Sequence, residues 1–535
     1  MNKTSNIRKI IAASSVGTMI EWYDFYIFGM LSTTISSQFF PKENPTAALL
    51  STLAIFAAGF IVRPFGALFF GRLGDLVGRK YTFLLTLILM GGSTFLIGCV
   101  PSYETIGIAA PIIVLLLRLL QGLALGGEYG GAATYVAEHA PVEKRGYYTS
   151  WIQTTATLGL FLALGIILLV KANMPDSSFN AEWGGWRYPF WISILLVGVS
   201  VYIRLKMKES PLFSKLKAEG RTSASPLKES FRRKANFKMV LLALFGAVMG
   251  QGVIWYTGQF YAQNFLETKC HIDFTQSRTI MLWAIAFATP FFIVFGWLSD
   301  KIGRKWIMMA GMLGGILFYR PIFGKFLEET NVKEWVKTVL PELTLEKQTV
   351  KSDTVYTKDA HMTIVNHKES NWDYKGTRFS EKRHDSLVMI SLHDDVTMAN
   401  AGWFKQITDS SGINFVEIPD DNPVYAGVVL SSPVLWKFVF LVWIMIIFVT
   451  MVYGPIAAFL VEMFPTRIRY TSMSLPYHIG NGIFGGLVPF IGLLLTTTIP
   501  GDPLVGLWYP IGVATLCFII GVLYLRNKID RNIHD

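Results

Sequence analysis

Long apolar stretches separated by short polar segments dominate the whole chain. A helix needs roughly 20 apolar residues to cross the hydrocarbon core of a bilayer. Runs of this kind lie at about residues 10–36, 49–71, 80–100, 108–138, 148–171, 187–207, 237–266, 278–299, 305–325, 434–462, 471–497 and 504–526. The pattern therefore predicts an all-α integral membrane protein with twelve transmembrane helices, numbered 1 to 12 along the chain.

Charged residues are few and unevenly placed between the two sides of these helices. The chain is 52% hydrophobic and 16% charged, whereas soluble domains are about a quarter charged. Loops on the side of the N-terminus carry clusters of Lys and Arg, and loops on the other side, such as PKENP at 41–45, carry few. We expect a multi-pass protein of the cell inner membrane, and the positive-inside rule predicts that both of its termini are cytoplasmic. This asymmetry also accounts for the net charge of +11, so no nucleic-acid partner is predicted.

Two pairs of matching segments reveal an internal repeat. GRLGDLVGRK at 71–80 matches GWLSDKIGRK at 296–305, which lies 225 residues further on. EHAP at 138–141 matches EMFP at 462–465, which lies 324 residues further on. The larger second offset indicates two homologous six-helix halves, the second of which contains an insertion of about a hundred residues. The predicted parts are a bundle at 1–207, a basic cytoplasmic linker at 208–236, and a second bundle at 237–535 interrupted by the insertion at 326–428.

The insertion follows helix 9 and is expected to be extracytoplasmic. Its segments DAHMTIVNH and HDSLVMISLHDD, beginning at Asp359 and His384, alternate in polarity and favour short strands. The spacing of its histidines matches no metal motif, and the three cysteines of the chain have no zinc or redox spacing. These residues are His361, His367, His384, His393, Cys99, Cys270 and Cys517. We therefore predict no metal site and no cofactor, with the proton as the only coupling ion.

Several motifs together resemble one transporter family. The repeated GRLGDLVGRK resembles the loop 2–3 signature of the major facilitator superfamily, and RLLQG at 118–122 resembles its helix 4 motif. Further segments resemble the metabolite:proton symporter family, which includes proline/betaine, α-ketoglutarate, citrate and shikimate carriers. They are EWYDF at 21–25, RPFGA at 63–67, QGLALGGEYGGA at 121–132, WRYPF at 186–190, ESPLF at 209–213 and FPTRIRYTSMSLPY at 464–477. The resemblance covers nearly the whole chain except the insertion, and it implies two rocking six-helix bundles that transport a small metabolite.

Ionisable residues inside the apolar runs are the candidate proton site. Glu21 and Asp24 lie near the middle of helix 1, three residues apart and hence on one helix face. A charged residue at this depth costs about 2.5–3.5 kcal/mol and is usually functional. With Glu128 of helix 4, these acids are predicted to carry the proton, and Arg63 and Arg118 are their expected partners. The alternative is a set of fixed ion pairs that only sets helix packing.

The two arginines also define a substrate class. An Arg fork can bind a carboxylate through two parallel hydrogen bonds. The predicted substrate is a small carboxylate-bearing metabolite, either an organic acid such as a dicarboxylate or an amino acid or betaine. Polar and aromatic side chains expected at the same cavity are Gln121, Tyr129, Gln251, Tyr256 and His478.

The repeated loop motifs are predicted to form a cytoplasmic gate. Their acids, at helix ends, can accept hydrogen bonds from helix N-termini and pair with arginines. The resemblance implies that such contacts close the cytoplasmic side while the cavity is open outward. The predicted gate residues are Asp75 and Arg79, Asp300 and Arg304, and two companion pairs, Glu138 with Arg145 and Glu462 with Arg467.

Together these features predict a proton-coupled secondary active symporter that works by alternating access, functions as a monomer and contacts membrane lipid. The sequence contains no nucleophile–base arrangement, metal cluster or phosphate loop, so an enzyme is not expected. Two alternatives stay open: a facilitative uniporter or exchanger on the same scaffold, and a non-transporting receptor that uses the insertion.

Overall fold

The computed structural model describes residues 3–77, 79–126, 136–137, 140–206, 234–338, 342–356, 362–389, 405–408, 414–418, 423–464, 469–499 and 501–527. For some of these, 3–14 and 71–83 among them, only the backbone is described. The predicted linker at 208–236 lies largely outside the described residues.

Within the described residues, twelve helical spans follow one another, as the apolar pattern predicts. In the first half they are α1 (Lys3–Met30), α2 (Pro45–Ile61 and Arg63–Val77), α3 (Arg79–Ile97), α4 (Ala109–Gly126), α5 (Arg145–Ala172) and α6 (Tyr188–Lys206). In the second half they are α7 (Lys234–Thr268), α8 (Phe274–Ile302), α9 (Arg304–Glu328), α10 (Ser432–Tyr453 and Ile456–Met463), α11 (Arg469–Tyr477, His478–Gly485 and Val488–Thr498) and α12 (Trp508–Tyr524).

Length and composition alone qualify nine helices of the described part of the chain to cross a membrane. The other three spans, α1, α3 and α6, all include residues whose side chains are not described. Short helices at Ser32–Phe39, Tyr103–Ile106, Asp176–Phe179 and Val332–Thr338 lie between the spans.

Three stretches of the spans have π-helical hydrogen bonding. They are Leu244–Val248 and Thr257–Tyr261 in α7, and His478–Gly485 in α11. Widened turns of this kind occur often at functional sites, and here α7 and α11 pack on each other along these stretches.

Glycines allow α2 and α4 to cross at very short distance. A Cβ atom on Gly122 would lie 1.9 Å from the carbonyl oxygen of Gly59. One on Gly126 would lie 2.1 Å from the carbonyl oxygen of Arg63. Only glycine fits at such backbone contacts, as in other tightly packed membrane helices. The crossing brings the arginines of α2 and α4 into one region of the bundle.

Residues Phe265–Ser277 and Lys325–Phe438 form a compact unit of their own. It contains a six-stranded antiparallel sheet in the order β1-β2-β3-β5-β4, with β6 also pairing with β3. The strands are β1 (Thr344–Tyr356), β2 (Met362–Tyr374), β3 (Thr377–Met389), β4 (Lys405–Thr408), β5 (Asn414–Ile418) and β6 (Val424–Val429).

Strands β2 and β3 overlap the two predicted segments at 362–367 and 384–389, and they are 13 residues long rather than short. The rest of these segments lies outside the described residues. The hairpin between them turns through Lys375 and Gly376, whose φ angles of 51° and 82° suit a two-residue turn of the primed type. This tight turn keeps the register from Tyr374↔Thr377 outward along the hairpin. Two long strands can then pair without interruption.

The histidines of the insertion divide into two groups. His367 and His384 are cross-strand partners on β2 and β3, with their Nδ1 atoms 2.6 Å apart. Asp353 lies 3.2 Å from Nε2 of His367. Among the described residues, no group of three or more metal-ligating side chains is assembled. His361 and His393 lie outside the described residues.

Candidate substrate and proton site

Arg63 lies at a break in α2 and is buried, with only 1% of its surface exposed. The first segment of α2 ends at Ile61 and the second begins at Arg63, which is followed by Pro64, a residue favoured in the first turn of a helix. The guanidinium carbon lies 4.1 Å from the ring centroid of Phe60 and 4.3 Å from that of Phe25. Its Nε and Nη2 atoms have no hydrogen-bond partner among the described residues.

Arg118 of α4 is also fully buried and is held by a short chain of hydrogen bonds. Its Nη1 donates to Oε1 of Gln121 at 2.7 Å and to the carbonyl of Phe25 at 3.3 Å. Gln121 in turn donates through Nε2 to Oγ1 of Thr94 at 2.6 Å. Gln121, a predicted site residue, therefore orients the guanidinium of Arg118.

One side of the Arg118 guanidinium, the side with Nε and Nη2, has no hydrogen-bond partner among the described residues. The guanidinium carbon lies 4.1 Å from the ring centroid of Phe25 and 4.6 Å from that of Phe28. Aromatic faces stabilise a cation without consuming its N–H donors. Both arginines thus keep donors available in a water-poor place.

Asp24 and Glu21 are both buried in α1, with exposures of 0% and 1%. Neither carboxylate oxygen of Asp24 has a hydrogen-bond partner among the described residues, although Ser193 of α6 lies beside it. Glu21 does take part in a contact with another group. The two predicted proton carriers of α1 therefore differ, because Glu21 contacts another group and the carboxylate of Asp24 has no hydrogen-bond partner among the described residues.

The predicted ion pair between Asp24 and the arginines is not formed in the structure. Within the described residues, no carboxylate lies within salt-bridge distance of Arg63 or Arg118. The physical reason is helical rotation: Phe25 presents its ring to both arginines, and Asp24, one residue earlier, is turned about 100° away, towards α6. Glu128 and Tyr129, two further predicted site residues, lie outside the described residues.

The second half contributes neutral polar groups from α7 and α11. Gln251, Tyr256 and His478 are each 0–1% exposed. Both polar atoms of the Gln251 amide, both ring nitrogens of His478 and the hydroxyl of Tyr256 lack hydrogen-bond partners among the described side chains. Buried polar atoms are seldom left unpaired in proteins, so this cluster is suited to receive a polar ligand.

Two contacts join these groups to the first half. The ring of Tyr256 meets that of Phe60 edge to face, with centroids 5.0 Å apart. A Cβ atom on Gly482 of α11 would lie 3.1 Å from the carbonyl oxygen of Phe60 and 3.8 Å from Cδ of Arg63. Tyr256 of α7 and the Gly482 region of α11 therefore lie against the part of α2 that carries Arg63.

A second polar cluster brings together four of the predicted gate residues. The carboxylate of Asp300 accepts backbone N–H groups of Gly146 and Tyr147, in the first turn of α5, at 2.8 Å each. It also pairs with Arg304 at 2.7 Å. Negative charge at a helix N-terminus is stabilised by the helix dipole. This contact ties the end of α8 in the second half to α5 in the first.

Glu462 of α10 completes this gate cluster. It lies 3.0 Å from Nη2 of Arg304 and 3.7 Å from Nη1 of Arg145. Both companion pairs predicted from sequence contain a residue outside the described part of the chain, Glu138 in one and Arg467 in the other, and the side chains of Asp75 and Arg79 are not described either. The structure shows instead that Arg145 and Glu462 contact each other across the two halves.

Sequence reasoning missed three residues that shape these sites. Phe25 and Phe60 were hidden because aromatics abound in every span. Arg278 of α8 is fully buried and donates to the carbonyl of Met30 in α1. A basic residue in the apolar stretch SRTIMLW, at 277–283, was the available signal.

Comparison with known proteins agrees with this architecture. Residues 9–225 match the family described as sugar (and other) transporter. The chain is 37% identical to the alpha-ketoglutarate permease of Escherichia coli (strain K12) over 308 residues, covering 57% of this chain and 69% of that protein. It is 34% identical to the proline/betaine transporter of the same strain over 325 residues, covering 59% of this chain and 64% of that protein. The match thus spans less than two thirds of the latter relative.

Solved structures extend the likeness to the fold of the whole chain. The partially occluded inward-open structure of the xylose transporter XylE from E. coli aligns with a TM-score of 0.60 at 14% identity, covering 99% of this chain and 100% of that one. The fold is therefore the twelve-helix, two-half fold of the major facilitator superfamily. The chain belongs to this superfamily, in the metabolite:proton symporter family, and is a multi-pass membrane protein.

Proposed function

We propose that the protein is a proton-coupled symporter that imports a small carboxylate-bearing metabolite by alternating access. The candidate substrates are an organic acid such as a dicarboxylate, or an amino acid or betaine. The relatives are a permease for alpha-ketoglutarate and a transporter for proline and betaine. Each of these three compounds carries a carboxylate.

The observation that carries this proposal is the pair of buried guanidinium groups with unpaired donors. Nε and Nη2 of both Arg63 and Arg118 lack partners among the described residues. Leaving a buried donor unsatisfied costs about 1–3 kcal/mol, and more when it is charged. A carboxylate bound between these forks relieves that cost with charge-assisted hydrogen bonds. Gln251, Tyr256 and His478 would then contact the rest of the substrate.

Asp24 is the proposed proton carrier. An ionised carboxylate without hydrogen bonds is strongly disfavoured in a buried site, so this group holds a proton while its surroundings stay dry. It releases the proton when the cavity opens to water on the cytoplasmic side, where protons are scarcer. Glu21, which has a contact of its own, serves as a fixed neighbour. A potential of 100 mV adds about 2.3 kcal/mol for each net charge moved.

In the membrane we place the Asp300 end of the helices, the termini and the linker at 208–236 on the cytoplasmic side. The supporting feature is the concentration of Lys and Arg in the loops at this end. The insertion at 326–428 is then extracytoplasmic. The proposed working unit is a monomer in the inner membrane, with substrate, proton and lipid as its partners.

Uptake by proteoliposomes under an imposed pH gradient tests the proposal. Radiolabelled organic acids, proline and betaine would be screened with the lumen alkaline relative to the outside. We expect one class to accumulate above equilibrium in the wild type, and Asp24→Asn to allow only equilibration. The matched control is Asp176→Asn, whose carboxylate is exposed at the start of the short helix Asp176–Phe179 between α5 and α6. Uptake that ignores the gradient would indicate a uniporter or exchanger, and no movement of any solute would favour the receptor alternative.

A further inference from the structure

Helix α8 makes a polar contact with the first half at each of its two ends, and the two contacts are opposite in charge. Asp300, near its last residue, binds the N-terminus of α5. Arg278, near its first residue, binds the C-terminus of α1. These residues are 22 positions apart, which corresponds to about 33 Å along a helix. The hydrocarbon core of a bilayer is about 30 Å thick, so the contacts lie at opposite ends of the bundle.

The Arg278 contact is built at a break in the first helix. The segment Lys3–Met30 ends at Met30, and the helix resumes at Ser32 after Leu31. The carbonyl of Met30 accepts hydrogen bonds from Nη2 of Arg278 and, at 3.3 Å, from Nε2 of Gln263 in α7. Met30, Arg278 and Gln263 are exposed by 0%, 0% and 3%. The contact is therefore dry as well as doubly bonded.

The chemistry of this contact suits a latch. The C-terminus of a helix carries partial negative charge, which a cation stabilises. Both donors come from the second half and the acceptor from the first, so the bonds must break if the halves separate at this end. When they break, water can solvate Arg278, which limits the cost of opening. A purely hydrophobic contact could not exchange its partner for water in this way.

We propose that Arg278, with Gln263, is the latch that closes the bundle at the Met30 end, opposite the Asp300 gate. The Asp300 gate and the Arg278 latch lie on one continuous helix of 29 residues, and they contact opposite dipole ends of α5 and α1. A rocking movement that separates the two halves at one end of α8 brings them together at the other end. Helix α8 therefore couples the two gates. Arg278 acts as a positioning residue for the transport cycle and does not contact the substrate. This inference rests on the alternating access proposed above.

Distances measured by electron paramagnetic resonance between spin labels test the latch without a known substrate. The full-length protein would carry Cys99→Ala, Cys270→Ala and Cys517→Ala, and labels at two exposed positions of the Met30 end, Glu43 and Thr498. A second pair at exposed Glu143 and Arg526 would report on the Asp300 end. We expect Arg278→Gln to raise the ratio of long to short Glu43–Thr498 distances by about tenfold, the effect of losing one strong hydrogen bond.

Arg320→Gln is the matched control, because Arg320 pairs with Asp502 at 2.8 Å entirely within the second half. It should leave the Glu43–Thr498 distances unchanged. If Arg278→Gln does not fold, Gln263→Leu should shift the same distances in the same direction by a smaller factor. The latch is refuted if folded Arg278→Gln or Gln263→Leu protein keeps the parental distances, or if Arg320→Gln shifts them equally.

The variant Asp300→Asn distinguishes a wrong latch proposal from a wrong proposal of alternating access. Alternating access predicts that it lengthens the Glu143–Arg526 distances at its own end. If it does so while Arg278→Gln moves nothing, the latch is wrong and rocking stands. If neither variant moves either pair, both the latch and the rocking mechanism are wrong.

Discussion

The guanidinium groups of Arg63 and Arg118 share one aromatic ring, that of Phe25. Their central carbons lie 4.3 and 4.1 Å from its centroid. The ring stabilises two like charges at short range while it leaves N–H donors of both uncommitted. It also means that this aromatic face is occupied by guanidinium. The quaternary ammonium group of a substrate such as betaine would have to contact other side chains, whereas its carboxylate has the guanidinium donors available.

Replacing either arginine with lysine should impair substrate binding. Lysine keeps the charge but loses the planar fork that grips a carboxylate through two bonds. For Arg63→Lys and Arg118→Lys we expect the KM of uptake to rise about tenfold or more, since one hydrogen bond to a charged group contributes about 1.5–3 kcal/mol. Initial-rate uptake by proteoliposomes measures this. Arg320→Lys, outside the site, should keep the parental KM, and an unchanged KM in both site variants would remove the arginines from the substrate site.

Phe25→Leu should weaken both the site and the fold. The change keeps an apolar side chain but removes the ring on which two guanidinium groups rest, so two cation–π contacts of about 0.5–2 kcal/mol each are lost. We expect a lower melting temperature in detergent together with a higher KM. Phe291→Leu, which removes a partly buried ring on α8 away from the arginines, is the control. A variant that melts lower but keeps its KM would show that Phe25 only packs.

Removing one partner of the gate ion pair should lower the stability of the fold. Arg304 and Glu462 are 4% and 7% exposed in their side chains and lie 3.0 Å apart. Removing one partner of a buried pair costs about 3–5 kcal/mol, whereas replacing both with apolar residues is often neutral. Because Arg304 also keeps Asp300, we expect Glu462→Met to destabilise by less than that range. Thermal melts of Glu462→Met, Arg304→Met and the double variant measure the coupling, and strictly additive effects would contradict it.

Stability at low pH should depend on Glu182, in the loop before α6. The N–H and hydroxyl of Ser102 and the hydroxyl of Thr105 donate to its carboxylate at 3.0, 2.8 and 2.5 Å. The Thr105 hydroxyl first, and then Ser102, lowers the pKa of Glu182 from 4.5 to about 2. A lowered folded-state pKa gives stability that is present above pH 4.5 and lost as pH falls towards 2.

Melting curves of wild type and Glu182→Gln across this pH range measure the effect. The wild type should be the more stable at neutral pH, and the difference should shrink as the pH falls through the window. Thr105→Val removes one hydrogen-bond donor to the Glu182 carboxylate. It should therefore narrow the pH range over which the stability difference is lost. A difference between wild type and Glu182→Gln that does not change with pH would show that the carboxylate charge contributes nothing here.

The sequence predicted the twelve spans and two of the buried arginines, Arg63 and Arg118, because both depend on composition and local spacing. Each span is a long apolar run, and an arginine within such a run stands out against its neighbours. The strands at β2 and β3 followed from alternation, but their 13-residue length depends on cross-strand pairing, which local pattern does not report.

Side-chain direction is the part that the sequence could not supply. Asp24 and Phe25 are adjacent, yet Phe25 meets the arginines and Asp24 lies beside Ser193. The rotation of α1 that decides this is set by packing against α5 and α6. The partners of Glu462 were missed for a similar reason, because Arg304 and Arg145 reach it from other helices.

Proton movement driven by substrate is the most direct test of the central claim, that substrate and proton cross together. Proteoliposomes loaded with a pH-sensitive dye would receive the transported substrate with no pH gradient imposed and with the membrane potential clamped. We predict that the lumen of wild-type vesicles acidifies in step with uptake, and that Asp24→Asn vesicles exchange substrate without acidification. Substrate entry at the full wild-type rate with no change in luminal pH would contradict proton symport.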